Sequence, residues 1–332
     1  RIRTAEGRKN MNKPQVSVIM PVYNGEKYIR EQLMSIRNQT LRIDEIVICD
    51  DCSEDDTVEI IENLIRQYDL PVRLHVNTWN HGYRKNFEQA ICRCSGDIIF
   101  LSDQDDIWLP TKVETIIGYF NSNPDKEFVF TNAVLVNAAG IPSYNQTLFD
   151  VLGLDKETLD LFDRGYELEM LSIYCRVTGA TCALRASMMP YCIPLSDIVA
   201  HDEMLAMTSA FRNKIGCIAQ CLIKYRQHGK QTIGLKMAIR HPGEKWEYTS
   251  NIMMWHDALI EKNDENTRKR LRFIYRRFWT LRSPWALLRI VRMYVSGHYN
   301  KYYMDTSAVF WWDVRTVFLR MWNKLRSLKT LS

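Results

Sequence analysis

The sequence predicts an α/β protein: a mostly parallel sheet flanked by helices, followed by a helical, basic C-terminal region. Two patterns carry that expectation. Through the first hundred residues, short apolar runs alternate with stretches of helical periodicity, which implies right-handed crossovers and a sheet covered on both faces. After about residue 231 the alternation stops and only helical patterns remain.

The elements follow in order. VSVIM at 16–20 reads as a buried strand, stopped by Pro21 and the turn pair Asn24-Gly25. Tyr28, Ile29, Leu33 and Ile36 recur at helical spacing, and 46–49 forms the next strand. Ser53, with Asp56 three residues on, reads as a capping box with Asp in place of the usual Glu or Gln. It would open a helix whose apolar face is Ile60, Ile61, Leu64, Ile65 and Tyr68. Residues 72–76 alternate as a strand, 86–92 read as a helix, and 98–101 are the next strand. Farther on, 127–136 is a strand and Gly140-Ile141-Pro142 a turn, while 143–175 reads as a helical or irregular insertion. The small residues of 178–184 suit a strand or loop that a ligand approaches closely. A short helix at 202–211 opens with acidic residues, and 215–219 and 221–225 are short strands.

Composition bounds the class. With 332 residues, 46% hydrophobic and 25% charged, the chain is globular and large enough for one domain or two. Nine cysteines without the spacing of a secreted scaffold read as reduced thiols of a cytosolic protein. Cys49-Asp50-Asp51-Cys52 formally matches C-x-x-C, but no second pair stands at zinc-ligand spacing. The polar first residues lack the apolar stretch of a signal peptide, and Met11 is a candidate start. No apolar stretch reaches the ~18 uncharged residues of a membrane span.

The net charge of +5 hides a division. Residues 266–332 hold fifteen Lys and Arg against two Asp and Glu, a balance of +13, so the remainder stands at −8. Seven of the nine tryptophans lie after residue 245. In the last helical pattern Val314, Val317, Phe318, Met321, Trp322, Leu325 and Leu328 form an apolar stripe opposed by Arg315, Lys324, Arg326 and Lys329. Basic amphipathic helices rich in Trp suit an anionic membrane surface. The alternative is that these stripes pack on the rest of the chain or on a second subunit.

The chemistry points to the ends of the strands. In a parallel sheet, ligands bind outside the carboxyl ends of the strands. Tyr23-Asn24, Asp50-Asp51 and Asp103 to Asp106 all fall there, so three polar clusters converge on one rim. In IIFLSDQDDIW an apolar run ends in three carboxylates within four positions. A hard divalent cation such as Mg2+ or Mn2+ would compensate them and share them with substrate phosphates. The same carboxylates could instead form a solvated acidic loop or cap the helix that starts near Pro110.

Taken together, VSVIMPVYNGEKYIREQLMSIRNQT, IDEIVICDDCSEDDT, Asn80-His81-Gly82 and GDIIFLSDQDDIW resemble the nucleotide-sugar-binding half of glycosyltransferase family 2. Ala200-His201-Asp202-Glu203 and Tyr225-Arg226-Gln227-His228-Gly229 resemble the acceptor half of its bacterial rhamnosyltransferase-like branch. The resemblance implies a GT-A (Rossmann-like) fold and inverting transfer. It places Asp103 and Asp105 in the family's D-x-D motif, with Asp105 the closest metal ligand and Asp103 reaching the ribose or the metal. It assigns Asp51 to the nucleotide base, and Pro21, Tyr23 and Asn24 to the nucleoside loop. Asp50 reads as structural, and the role of Asp106 stays open. Asp202 falls at the catalytic base, although an Asp in a helical first turn also serves as a dipole partner. His201 departs from the acidic residue that many members carry there. Arg226 and His228 are expected near the diphosphate, His228 also as a candidate metal ligand.

The implied domains are an N-terminal extension at 1–14, a GT-A domain at 15–235 (15–110 for the donor, 111–235 for the acceptor) and a helical basic region at 236–332. The implied enzyme adds a single hexose, since the Q-x-x-R-W motif of processive synthases is missing. It would take dTDP-rhamnose or a UDP-hexose and act on a hydroxyl of a lipid-linked glycan in bacterial surface polysaccharide synthesis, at the cytoplasmic face of the membrane. Two rivals are weaker. A sugar-nucleotide pyrophosphorylase wants a glycine-rich, basic phosphate loop after the first strand, and PVYNGEKY is poor in both. A membrane- or nucleic-acid-binding adaptor built on the basic tail has no recognised nucleic-acid motif to support it.

Overall fold

The computed structural model describes residues 13–173, 176–196, 200–229 and 231. Beyond these it describes 285–297 and positions 265, 269, 272, 273, 276, 311, 314, 317 and 318. The strands β1 (Val16–Val22), β2 (Glu45–Asp50), β3 (Val72–Val76) and β4 (Ile98–Leu101) form its parallel half, in the spatial order β3-β2-β1-β4. The residues of β1 from Val16 to Met20 and all four of β4 are buried, as strands must be when both faces of a sheet are covered. Three helices make the crossovers: α1 (Ile29–Arg37), α2 (Thr57–Tyr68) and α3 (Tyr83–Arg93). Parallel pairing of β1 with both β2 and β4 brings the ends of all three strands to one edge.

The other half of the sheet is mixed. It uses β5 (Ile107–Trp108), β6 (Phe128–Val136), β7 (Pro142–Thr147), β8 (Ala183–Arg185) and β9 (Ile215–Arg226). Strand β8 runs antiparallel to β4 and to β6, and β9 lies parallel to β6 and antiparallel to β5. The two short strands expected at 215–219 and 221–225 are one strand, whose register against β6 shifts at Thr131–Asn132 and Asn132–Ala133. That irregularity is the physical counterpart of the break in the sequence pattern at Gln220.

Between β6 and β8 the expected insertion is largely helical: α5 (Leu148–Leu152), α6 (Lys156–Leu161) and α7 (Glu167–Ile173). Thr147 caps α5 through a reciprocal capping box with Asp150. The box expected at Ser53 and Asp56 is absent: α2 begins at Thr57, and Asp56 makes no side-chain cap bond. Ser53 instead bonds the Asp50 carboxylate through both its backbone N–H and its hydroxyl. A buried carboxylate one turn upstream is the stronger acceptor, so the hydroxyl serves the loop and not the helix.

The remaining helices are α4 (Lys112–Ser122), α8 (Met189–Cys192), α9 (His201–Phe211) and α10 (Ala286–Val295). One hydrophobic cluster joins the two halves of the sheet and also takes in Phe273, Ala286, Ile290 and Val317. Part of the C-terminal region thus packs on the catalytic body. Of the expected terminal stripe, Val317 is buried and Phe318 exposed. Met321, Trp322, Leu325 and Leu328 lie outside the described residues, as do residues 1–12 of the expected extension. No described helix is long and apolar enough to cross a membrane.

Phe100, wholly buried in β4 and packed against Trp108, anchors the strand that delivers the acidic segment. Phe100→Ala should destabilise the protein by about 3–5 kcal/mol, the cost of lost burial and a residual cavity, as measured by urea unfolding.

Candidate active site

The site is built on the loop that follows β4. Helix α1 and the residues just after it support it through polar side chains. Gln32 Nε2 donates to Ser102 Oγ (2.7 Å), Ser35 Oγ accepts from Trp108 N (2.9 Å), and Gln39 Nε2 donates to Leu109 O (2.9 Å). Gln104, inside the acidic segment, clasps the loop after β1: its Oε1 accepts from Tyr23 N at 2.8 Å and its Nε2 donates to Tyr23 O at 2.9 Å. The clasp needs Gly25, where an added Cβ would lie 2.5 Å from Gln104 Oε1.

The other rim loops are tied in the same way. Asn24 adopts a left-handed conformation (φ 48°) that its short polar side chain tolerates. Its N–H donates to Ser53 Oγ, and its side-chain oxygen accepts from Glu54 N. Asp50 holds Ser53, a structural task. Asp51 is buried and accepts from Asn77 Nδ2 (3.0 Å), His81 N (2.8 Å) and Gly82 N (2.8 Å), which folds the 77–82 loop over the end of β2. Tyr23 stays exposed on the rim, as does Trp79 beside His81. Pro21, at the end of β1, pairs in register with Cys49.

Asp103, Asp105 and Asp106 come together, with one carboxylate oxygen from each lying within 4.8 Å of the others. Asp106 is wholly buried; its Oδ1 accepts from Arg226 N at 2.9 Å, and its Oδ2 has no protein partner. Asp105 Oδ2 lies 2.7 Å from His228 Nε2, and the His228 ring packs against Tyr28. Three clustered carboxylates, one with a buried orphan oxygen, and an adjacent imidazole are a donor set that fits Mg2+ or Mn2+. Burial, together with Asp105 and Asp202, pushes the Asp103 carboxyl up to about 7.

Asp202 lies in the first turn of α9. Its Oδ2 accepts from Gly179 N and its Oδ1 from Glu203 N, both at 2.9 Å. These bonds fix its orientation and leave lone pairs on both oxygens. All four carboxylates, at 103, 105, 106 and 202, act on the buried Tyr225 hydroxyl, which they and burial raise well above its ordinary value. His201 is buried, stacks on Phe87 at 3.5 Å between ring centroids, and has no hydrogen-bond partner at either ring nitrogen; burial lowers its pKa.

Arg226 is placed differently from the expectation of a diphosphate contact. It is 1% exposed; Nε donates to Asp105 O (2.6 Å), Nη1 to Ala138 O (2.9 Å) and Nη2 to Glu31 (2.6 Å), with the guanidinium over the Tyr28 ring. A planar fork with its donors so engaged is a strut behind Asp105. Gln32, Ser35, Gln104 and Lys112 also shape the site and went unread in the sequence, since each sits inside an apolar stripe or loop with no spacing signature. Cys49 and Cys52 are free thiols, and burial pushes Cys49 up to about 11, so Cys49 supplies no thiolate near neutral pH.

Residues 17–177, just under half of the chain, match the family described as Glycosyl transferase family 2. An uncharacterized glycosyltransferase of Haemophilus influenzae is 28% identical over 233 residues, 67% of this chain and 68% of that protein. The UDP-Glc:alpha-D-GlcNAc-diphosphoundecaprenol beta-1,3-glucosyltransferase WfgD of Escherichia coli is 32% identical over 123 residues, 37% of this chain and 47% of that enzyme. Among solved structures, S. aureus TarS 1–349 in complex with UDP-GlcNAc shares the fold at TM-score 0.54 and 18% identity, covering 80% of this chain and 72% of its own. The mannosyltransferase PcManGT from Pyrobaculum calidifontis, in complex with GDP-Man and Mn2+, does so at TM-score 0.52 and 16% identity, covering 96% and 85%.

The raised Asp103 carboxyl makes stability depend on pH. Between the ordinary value of 3.8 and about 7 the native metal-free chain holds a proton that the unfolded chain has released. Its stability contribution therefore falls as pH rises through that window. Thermal unfolding of metal-free wild type should lose more between about pH 4.5 and about pH 7 than Asp103→Asn does, and Mn2+ should offset the loss at the upper end.

Proposed function

We propose that this protein is a metal-dependent, inverting glycosyltransferase that moves a single sugar from a nucleoside-diphosphate donor to a hydroxyl of a glycan acceptor. The convergence of Asp202 with the acidic corner carries the reading. Asp202 accepts from Gly179 N, and Cys182, three residues on, accepts from Leu101 N at the end of β4, so a base-type carboxylate and a metal-type cluster stand on adjoining elements. Inversion requires that arrangement: a carboxylate takes the acceptor proton while the leaving diphosphate departs from the opposite face.

In this reading Asp103, Asp105 and His228 hold Mg2+ or Mn2+, which when bound stabilises negative charge on the departing diphosphate. Asp51 reads the base, and Pro21, Tyr23 and Asn24 hold the nucleoside. Arg226 serves the diphosphate indirectly, through Asp105. The two structures of like fold are complexes with UDP-GlcNAc and with GDP-Man and Mn2+, which supports the donor class; dTDP-rhamnose and UDP-hexoses are our candidates. A relative acting on a diphosphoundecaprenol substrate supports a lipid-linked acceptor in bacterial polysaccharide synthesis. The chain divides accordingly into residues 1–14, a catalytic domain at 15–235 with its donor part at 15–110, and a basic region at 236–332.

The enzyme meets that lipid at the inner face of the membrane, and α10 is the described element suited to it. Ala286 and Ile290 face the body, while Leu287, Leu288, Val291 and Val295 are exposed beside Arg289 and Arg292, with Trp285 exposed at the helix start. An apolar arc flanked by arginines seats at the headgroup boundary of an anionic bilayer.

Asp105→Ala should lower metal-dependent turnover in a panel of UDP-, GDP- and dTDP-sugars by ~10²-fold or more; unchanged turnover would remove the metal assignment. Asp202→Asn should bind donor as wild type does yet lose about 10²–10⁴-fold in transfer. The full chain should float with anionic but not with neutral vesicles, and Leu288→Glu with Val291→Glu should abolish flotation without changing donor turnover.

A further inference from the structure

Lys112 has no part in the chemistry above, yet it is fully buried at the start of α4. An ammonium taken out of water persists only where charge and hydrogen bonding compensate it, and an apolar side chain of similar length would fill the same space at no such cost. Its compensation is specific. Nζ donates to Ala180 O at 2.7 Å, stands 3.9 Å from the Trp108 ring centroid, and lies in the field of Asp106, Cys182 and Asp103. Of these groups Asp106, whose Oδ2 has no hydrogen-bond partner, bears most strongly on the ammonium.

Ala180 sits in a short 3-10 turn, Gly179–Thr181, that behaves as one piece. Thr181 N and Thr181 Oγ1 both donate to Thr178 O, Cys182 N donates to Gly179 O, and Leu101 N donates to Cys182 O. The first N–H of the turn, from Gly179, is the group that holds Asp202 Oδ2. On its other side the turn is hemmed in: a Cβ on Gly179 would lie 2.6 Å from His201 Nε2 and 3.5 Å from Asp202 Cβ. Lys112 therefore grips from the acidic side a turn that sets the carboxylate on the acceptor side.

We propose that Lys112 is a positioning residue for Asp202: its ammonium draws the 179–181 turn onto the acidic corner, and through Gly179 N–H the turn registers Asp202 against Asp103. The proposal rests on the reading of Asp202 as the base. A displacement of about 1 Å at such a group costs on the order of 10²-fold in rate without loss of donor binding.

The test is Lys112→Met, which keeps length and burial and removes the charge and the donor. In the full chain, hydrogen exchange should rise at 178–182 and in the first turn of α9 and stay unchanged in β1–β3. Calorimetric binding of UDP or dTDP with Mn2+ should not weaken. With the donor identified by the panel above, transfer kcat should fall by about 10–100-fold at a donor KM within about threefold of wild type. In the Asp202→Asn background the same substitution should cost no further activity.

Wild-type transfer in folded Lys112→Met overturns the proposal. So does a loss that multiplies with Asp202→Asn, or a parallel loss of Mn2+-nucleotide binding, which would mark a general structural role. Should Lys112→Met not fold, Gly179→Ala displaces the same turn from the His201 side, and unchanged transfer there overturns the proposal equally. If wild type turns over no sugar nucleotide, the proposed function fails, while the exchange pattern still decides whether Lys112 holds the turn.

Discussion

Like charge gathered at the edge of a buried sheet is the constraint on which the rest of this structure depends. Three carboxylates leave β4 into a pocket where Asp106 has no access to water, and a fourth arrives on α9. At the effective dielectric of a protein interior their mutual repulsion is several times stronger than in bulk water. Asp103 shows the consequence, since its carboxyl is raised by burial and by two of its neighbours. A chain that keeps such a cluster must hold it in place and supply cations, resident or bound.

Much of the surrounding architecture does this. Polar residues of α1 fasten the loop on its inner side, and Gln104 fastens it to the loop after β1. From the far end of the domain β9 delivers Arg226, whose backbone N–H caps Asp106 while its side chain braces Asp105 and reaches back to Glu31 of α1. Lys112 brings a second cation from below. The mixed half of the sheet thus has a mechanical role: antiparallel β8 places the 179–181 turn against β4, and β9 carries its cation to the same edge.

The C-terminal region answers to two demands at once. Among its described residues Phe273, Ala286, Ile290 and Val317 join the common core. The outer arc of α10 remains apolar and flanked by arginines. Ala286 and Ile290 on one side of this helix are buried, while Leu288, Val291 and Val295 on the other are exposed.

The sheet, its crossover helices and the acidic corner were legible in the sequence because each rests on local signals. Apolar runs of strand length, helical periodicity and a dense acidic string survive in one dimension, and so did the placing of Tyr23-Asn24, Asp50-Asp51 and Asp103 to Asp106 at strand ends. Where a local signal competed with a distant partner, the reading changed. Ser53 looked like a helix cap but bonds Asp50, and the break at Gln220 looked like two strands but is a shift in pairing with β6. Arg226 looked like a phosphate ligand because its charge is visible in the sequence and its four partners are not. Lys112 was invisible for the opposite reason: a lysine at a helix start is ordinarily a solvated residue, and only burial among Trp108, Ala180 and the acidic corner gives it a task. Local propensity and pattern therefore determined which elements form and what chemistry they carry. Tertiary packing alone decided which charges face the substrate and which serve as struts, because desolvation and hydrogen-bond partners are set by residues far apart in the chain.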